Sequence, residues 1–165
     1  MNLWDSLLDT LEEQATVYAQ LNVVMEDKQR VIVEENLPEL EEIVAKEGAF
    51  VKHIGLLEKK RMEIVEQLAG QQSLPGVNVT LSQLSQHLPS SYQRKYIQLK
   101  NKIQSALQQA SLLNRRNQEL LECSLNYVNF SLGLLAGLNN SSVYGQQGQE
   151  QEGRTSNKSI LDHKV

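Results

Sequence analysis

The feature that most constrains this chain is a long repeat in its second half that no proline interrupts. From Ser90 onward, apolar or small residues return every three or four positions: Tyr92, Tyr96, Leu99, Ile103, Ala106, Ala110, Leu113, Asn117, Leu120, Ser124, Tyr127, Ser131, Leu134 and Leu138. That spacing is the signature of an α-helix with one buried stripe. Only Gly133 and Gly137, near its end, weaken it. Roughly 48 helical residues at 1.5 Å each would span about 72 Å. Composition agrees. With 5% aromatic residues, 9 Gly and 3 Pro in 165 residues, the chain lacks the β-branched, aromatic and turn-forming content of a sandwich or parallel sheet.

Two further stretches read the same way. From Leu3 to Ile32 the stripe is Trp4, Leu8, Leu11, Ala15, Tyr18, Leu21 and Met25. It stops at Glu34-Glu35-Asn36-Leu37-Pro38, where Asn36 followed by Glu39 resembles a capping box and Pro38 suits a first helical turn. Either two helices meet here or one helix kinks. The next stripe is Leu40, Val44, Glu47, Val51, Ile54, Leu57, Arg61, Ile64 and Leu68, and Gly70 is expected to end it in the left-handed conformation. Each of these two helices would span about 45–50 Å. Residues 70–79 carry Ser73, Pro75, Gly76 and Asn78, a loop signature; Thr80 with Gln83 then caps a short helix reaching Leu88. Past Asn139 the chain turns to Asn, Ser, Gln and Gly with scattered charges, too polar to offset its ordering entropy. The expected fold is all-α: an elongated antiparallel bundle or hairpin of three long helices over residues 1–138, with a flexible polar tail over 139–165.

Catalytic signals are missing from the pattern. His53, His87 and His163 lie far apart, and no glycine pattern forms a Walker loop or a GxGxxG turn. Cys123, the single cysteine, stands on an apolar helix without a neighbouring histidine, which reads as a buried small side chain and fits a reducing compartment. No enzyme activity, metal or cofactor is expected. The N-terminus has no basic segment followed by an apolar one, and no apolar run is long enough for a membrane span, so a soluble cytoplasmic protein is expected.

Charge is unevenly distributed. Residues 1–47 hold twelve acidic and three basic residues, whereas Gln67 to Gln118 hold no acidic residue but six basic ones: Arg94, Lys95, Lys100, Lys102, Arg115 and Arg116. One reading makes the basic stretch a phosphate-binding face. The other pairs it with the acidic helices of the same bundle, and it is favoured because the nearby Tyr92 and Tyr96 fall on the core stripe.

The segment 120–138 is apolar nearly all round the helix, including Leu120, Leu121, Leu125, Tyr127, Val128, Phe130, Leu132, Leu134 and Leu135. A helix facing one neighbour needs about half as many. Two readings stand: a helix buried centrally by its own chain, or a partner site. The second gains weight because this helix outlasts the others by about 20 Å on the lengths above. The expected partner face is Leu121, Leu125, Val128, Leu132 and Leu135, beside a stripe of Leu120, Tyr127 and Leu134 that continues the core.

Three elements resemble the FlgN family of flagellar export chaperones. Glu47 to Arg61 (EGAFVKHIGLLEKKR) is similar to the family's E-x-x-L-L-x-x-L-x-x-L-E-x-x-R helix, although Phe50 and Val51 replace its leucine pair. Asn117-Gln-Glu-Leu-Leu-Glu is the second, with Leu125 through Leu138 following. Val143-Tyr144-Gly145-x-x-Gly148, just beyond the long helix, is the third and the most specific. The resemblance implies a non-catalytic cytoplasmic helical bundle. It would bind the C-terminal helical segments of flagellar hook-associated (hook–filament junction) proteins, prevent their premature assembly and deliver them to the export gate. It also implies that Tyr144, with Gly145 and Gly148, docks on the gate's cytoplasmic domain. No nucleic acid and no stable membrane insertion are expected, and a weak homodimer is allowed. The competing reading is a coiled-coil protein that self-associates through the same helix.

Overall fold

A computed structural model describes residues 2–72 and 79–141. The helices are α1 (Leu3–Val33), α2 (Leu37–Gln71), α3 (Leu81–Leu84) and α4 (Ser90–Ser141), and no strand occurs among the described residues. The fold is all-helical as expected, with three long helices and the short α3. The chain divides into two compact units, residues 1–126 and 127–165.

Helix boundaries follow from local chemistry. The Asn2 side chain caps α1 by accepting from the Trp4 N–H at 3.2 Å. At the far end the Asn36 N–H donates to the Val31 carbonyl and the Glu35 N–H to the Ile32 carbonyl. That pair of bonds is a Schellman closure, and it places Glu35 in the left-handed region at φ 55°. So α1 and α2 are separate helices. Asn36 then caps α2, accepting from the Glu39 N–H at 3.3 Å while its own amide donates to Glu39 Oε2 at 2.8 Å. Pro38 occupies the first turn, where no N–H is missed.

Gly70 does not end α2. The helix continues to Gln71, and no described glycine has a positive φ. The chain places its left-handed residue at Glu35, where a turn of three residues forces one. Thr80 and Gln83 form the expected capping box: the Gln83 N–H donates to Thr80 Oγ1 at 3.2 Å, and the Thr80 N–H to Gln83 Oε1 at 2.9 Å. The short helix tightens to a 3₁₀ turn over Ser85–His87 ahead of Pro89.

Within residues 1–126, α1 pairs antiparallel with α2, as contacts between Gln14 and Glu58 and between Lys28 and Glu47 show. Helix α4 runs parallel to α1: Asn2 reaches Tyr92, Asn22 reaches Ala106 and Asn117 reaches Met25. The main core joins Trp4, Leu7, Leu8 and Leu11 of α1 to Ile64, Val65 and Leu68 of α2 and to Tyr96 and Leu99 of α4, with Leu84 and Leu88 inserted beside them. A smaller cluster unites Leu21, Met25 and Leu113, with Phe50, Ile54 and Ala110 half-buried against it. Each fully buried leucine here contributes on the order of 1.5–3 kcal/mol.

The expected stripe of α1 is buried or half-buried throughout, and Leu7, Thr10, Gln14, Val17 and Asn22 are buried beside it. Helix α1 is therefore covered on two sides. The expected stripe of α2 needs a correction. Val44 and Val51 are 49% and 60% exposed, whereas Ile43 is buried and Phe50 half-buried. The seam runs Ile43, Glu47, Phe50, Ile54, Leu57, Arg61, Ile64 and Leu68, one residue earlier than the spacing suggested at two of its turns. A helix with valine and a larger apolar residue side by side turns the larger toward the core, since it removes more surface from water.

Candidate functional site

Along α4 the sequence stripe is seated as expected from Tyr92 to Ser124, each member buried or half-buried. Leu113 is its last residue in the buried clusters, and Asn117 is buried beyond it. From Leu125 to Gly137 no side chain is buried. Of the five residues expected to face a partner, Leu121 is half-buried; Leu125, Val128, Leu132 and Leu135 are exposed at 61%, 49%, 58% and 59%.

The flanking residues behave differently from the expectation. Leu120 is half-buried, but Tyr127 and Leu134, which the repeat assigns to the core, are 64% and 53% exposed. The physical reason is length. At 1.5 Å per residue, α1 with 31 residues and α2 with 35 cannot run beside all 52 residues of α4. A repeat shows that a helix is able to bury a stripe, not that a neighbour is there to cover it. Phe130, 65% exposed, belongs to the same apolar surface. Its apolar character was legible in the sequence, but its position off the repeat kept it out of the expected site. Cys123 is exposed rather than buried, because it lies off the seam occupied by Asn117, Leu120 and Ser124. Tyr144, Gly145 and Gly148 lie outside the described residues.

The charge contrast between α1 and α4 is met at one point. Lys95 Nζ lies 2.8 Å from Glu12 Oε2 and 4.0 Å from Asp9 Oδ1, and it is the only one of the six basic residues within 4 Å of an α1 carboxylate. Its ammonium holds the Glu12 carboxyl below the usual carboxylate range, and Glu12 in turn raises Lys95. Other charged contacts join α1 to α2: Lys28 with Glu47 at 2.6 Å, and Glu13 with His53 at 3.3 Å. Arg30 reaches Asp27, Glu34 and Glu39, and its ionised form is strongly favoured.

The Glu47–Arg61 segment proves to be packing machinery. Phe50, Ile54 and Leu57 line the seam, while Arg61 grips Glu58 with two nitrogens and Gln14 Nε2 donates to the same carboxylate at 3.1 Å. The Arg61 hydrogen bond pulls Glu58 below its ordinary range; burial and the Glu58 charge push the Tyr18 hydroxyl up. These residues border a cleft of about 610 Å³ that also takes in Tyr96 and Leu107. Among the described residues no group of three or more His, Cys, Asp or Glu side chains could hold a metal ion. No helix among them is long and apolar enough to cross a membrane.

The fold displays a bundle held by packed seams over residues 1–126 and, over residues 127–137, a helical segment whose large apolar side chains face water. A family model for FlgN proteins matches residues 1–152. The chain belongs to the FlgN family, a family of flagellar export chaperones. No curated protein and no solved structure matches it.

Proposed function

We propose that this chain is a cytoplasmic chaperone that covers the C-terminal helical segments of flagellar hook-associated proteins, keeps them from assembling early and delivers them to the export gate. The observation that carries the reading is the exposure of Leu125, Val128, Leu132 and Leu135, at 49–61%, on a chain of this family. Contiguous apolar surface of this kind is rare on a protein that acts alone. An amphipathic substrate helix laid along Leu121, Leu125, Val128, Leu132 and Leu135 removes it from water, in the helix-on-groove manner. Tyr144, with Gly145 and Gly148, is assigned to the gate's cytoplasmic domain on the family's pattern.

The test is the double change Val128→Asp with Leu135→Asp. Binding to a hook–filament junction protein from the same genome is expected to disappear while circular dichroism stays helical. Unfolding of the free variant would make this face internal core and end the reading. The alternative, a coiled-coil protein that self-associates through the same surface, predicts instead that the variant changes the mass of the free chain and nothing else.

A further inference from the structure

Resting on that reading, we infer that residues 127–137 take two helices of one partner chain, not a single helix. Successive residues turn by about 100°, which divides the exposed apolar side chains of this segment into two groups. Phe130, Leu134 and Tyr127 fall within about 60° of one another; Leu135, Val128 and Leu132 fall within another 60° or so, the two centres being roughly 130° apart. Ser131 lies between them and is half-buried by its large neighbours. Asn129, Gly133, Ala136 and Gly137 make up the remaining side. The apolar arc is thus about 200° wide, twice the stripe that one neighbouring helix covers.

Neither group is a remnant of the other. Phe130, Leu134 and Tyr127 are 65%, 53% and 64% exposed, against 49%, 58% and 59% for Val128, Leu132 and Leu135. Together the six side chains leave on the order of 600 Å² of apolar surface, the upper end of what a lone monomer shows. One helix on one group would cover about half, well short of the ~800 Å² that each side of a stable complex contributes. A second helix on the other group brings the total close to that figure. Two helices on one chain also share a single association cost, because the second docks at the high effective concentration set by its link to the first.

Charge defines the partner further. Cys123 through Gln149 carry no charged residue, so no salt bridge rewards a charge buried opposite this surface. The partner segment is therefore a helical pair with uncharged, aliphatic or aromatic contact faces. Self-association fills both faces only in an assembly of at least three copies, whereas a hairpin of one partner fills them one to one.

The experiment uses the full chain and a full-length hook–filament junction protein from the same genome, with affinity measured by calorimetry and stoichiometry by native mass spectrometry. Phe130→Asp with Leu134→Asp is expected to weaken binding at least 30-fold, as is Val128→Asp with Leu135→Asp. Both variants should keep the helical circular dichroism, and the parent complex should be one to one. A partner fragment retaining one C-terminal helix should bind at least 10-fold more weakly than one retaining two. If the Phe130/Leu134 variant binds within twofold of the parent while the other does not, the two-helix inference falls and the chaperone reading stands. If both variants bind normally, the reading falls with it. A Phe130/Leu134 variant that alters only the self-association of the free chain makes the second occupant another copy, which also overturns the inference.

Discussion

Asn22 and Asn117 make the same hydrogen bond in opposite directions. Asn22 Nδ2 on α1 donates to the Ala106 carbonyl of α4, and Asn117 Nδ2 on α4 donates to the Met25 carbonyl of α1, each at 3.0 Å. Both residues are almost wholly buried, and both Oδ1 atoms are buried without a hydrogen-bond partner in the protein. The accepting carbonyls lie within helices and already take an N–H from one turn on. Each amide therefore gains one modest bond while leaving a buried acceptor without a protein partner, a net loss against an apolar side chain of similar size. What the pair supplies is register, as a polar residue in a helical seam does. The double change Asn22→Leu with Asn117→Leu is expected to stabilise the chain by about 1–3 kcal/mol. That is a rise of roughly 4–11 °C in the thermal midpoint for a unit of this size. A fall in the midpoint would mean that the two donated bonds outweigh the two Oδ1 atoms left without a protein partner.

Glu35 offers a second stabilising change. It holds φ 55° at the position of the Schellman closure usually given to glycine. A side chain there crowds its own backbone. Glu35→Gly should raise stability by about 0.5–1 kcal/mol, the strain relieved exceeding the entropy that glycine adds to the unfolded chain. Chemical denaturation measures it directly, and a loss of stability would show that the carboxylate has a role that its backbone geometry does not reveal.

The α2 seam gives a contrasting pair at adjacent positions. Phe50 is half-buried against Leu21, Met25 and Leu113; Val51 is 60% exposed. Phe50→Ala is expected to cost about 2 kcal/mol, somewhat less than a fully buried phenylalanine, and Val51→Ala under about 0.5 kcal/mol. Equal effects would restore the stripe through Val51. These residues also mark how far the sequence could be read. The all-helical character, the interruption of the pattern at Asn36 and the Thr80–Gln83 cap were legible, because spacing, Pro and capping side chains act locally; whether the interruption separates two helices was not. Whether Phe50 or Val51 faces inward was not, since a 3.6-residue period tolerates either until a neighbour chooses. The same limit explains Tyr127 and Leu134: their repeat was visible, but what covers them depends on other helices. Gly70 failed for the opposite reason, because a residue free to adopt a conformation is not obliged to.

Acid should weaken the fold through Glu58 and Glu12, whose carboxyls are lowered from 4.5 by Arg61 and Lys95 respectively. A carboxyl with a depressed folded pKa binds its proton more readily in the unfolded chain. Its contribution is present above the unfolded value and is lost as pH falls through the folded one. The thermal midpoint is therefore expected to drop below about pH 5. Glu58→Gln should lower the midpoint at pH 7 and flatten the acid limb. An acid limb as steep as the parent's would assign the loss to other carboxylates. Both groups are substantially exposed to solvent, so the effect at each is small.

Tyr144 is expected to act on the gate and not on the fold. It is the one aromatic in the polar stretch after Asn139, and Val143 is the only aliphatic side chain between Ser141 and Gln149. A tyrosine so placed retains a large amphipathic ring with few rotors to freeze, which suits an encounter that must later release. Glycine permits tight backbone turns, and the motif carries one on either side of the two glutamines, Gly145 and Gly148. The proposed substrate surface is elsewhere, on residues 121–135, so the two functions should separate in one variant. Tyr144→Ala is expected to leave the thermal midpoint and the affinity for the junction protein unchanged. Recruitment to the cytoplasmic domain of the export gate should weaken, and swimming in soft agar should slow. Loss of junction-protein binding would instead place Tyr144 in the substrate site, and normal recruitment with normal swimming would remove it from the mechanism.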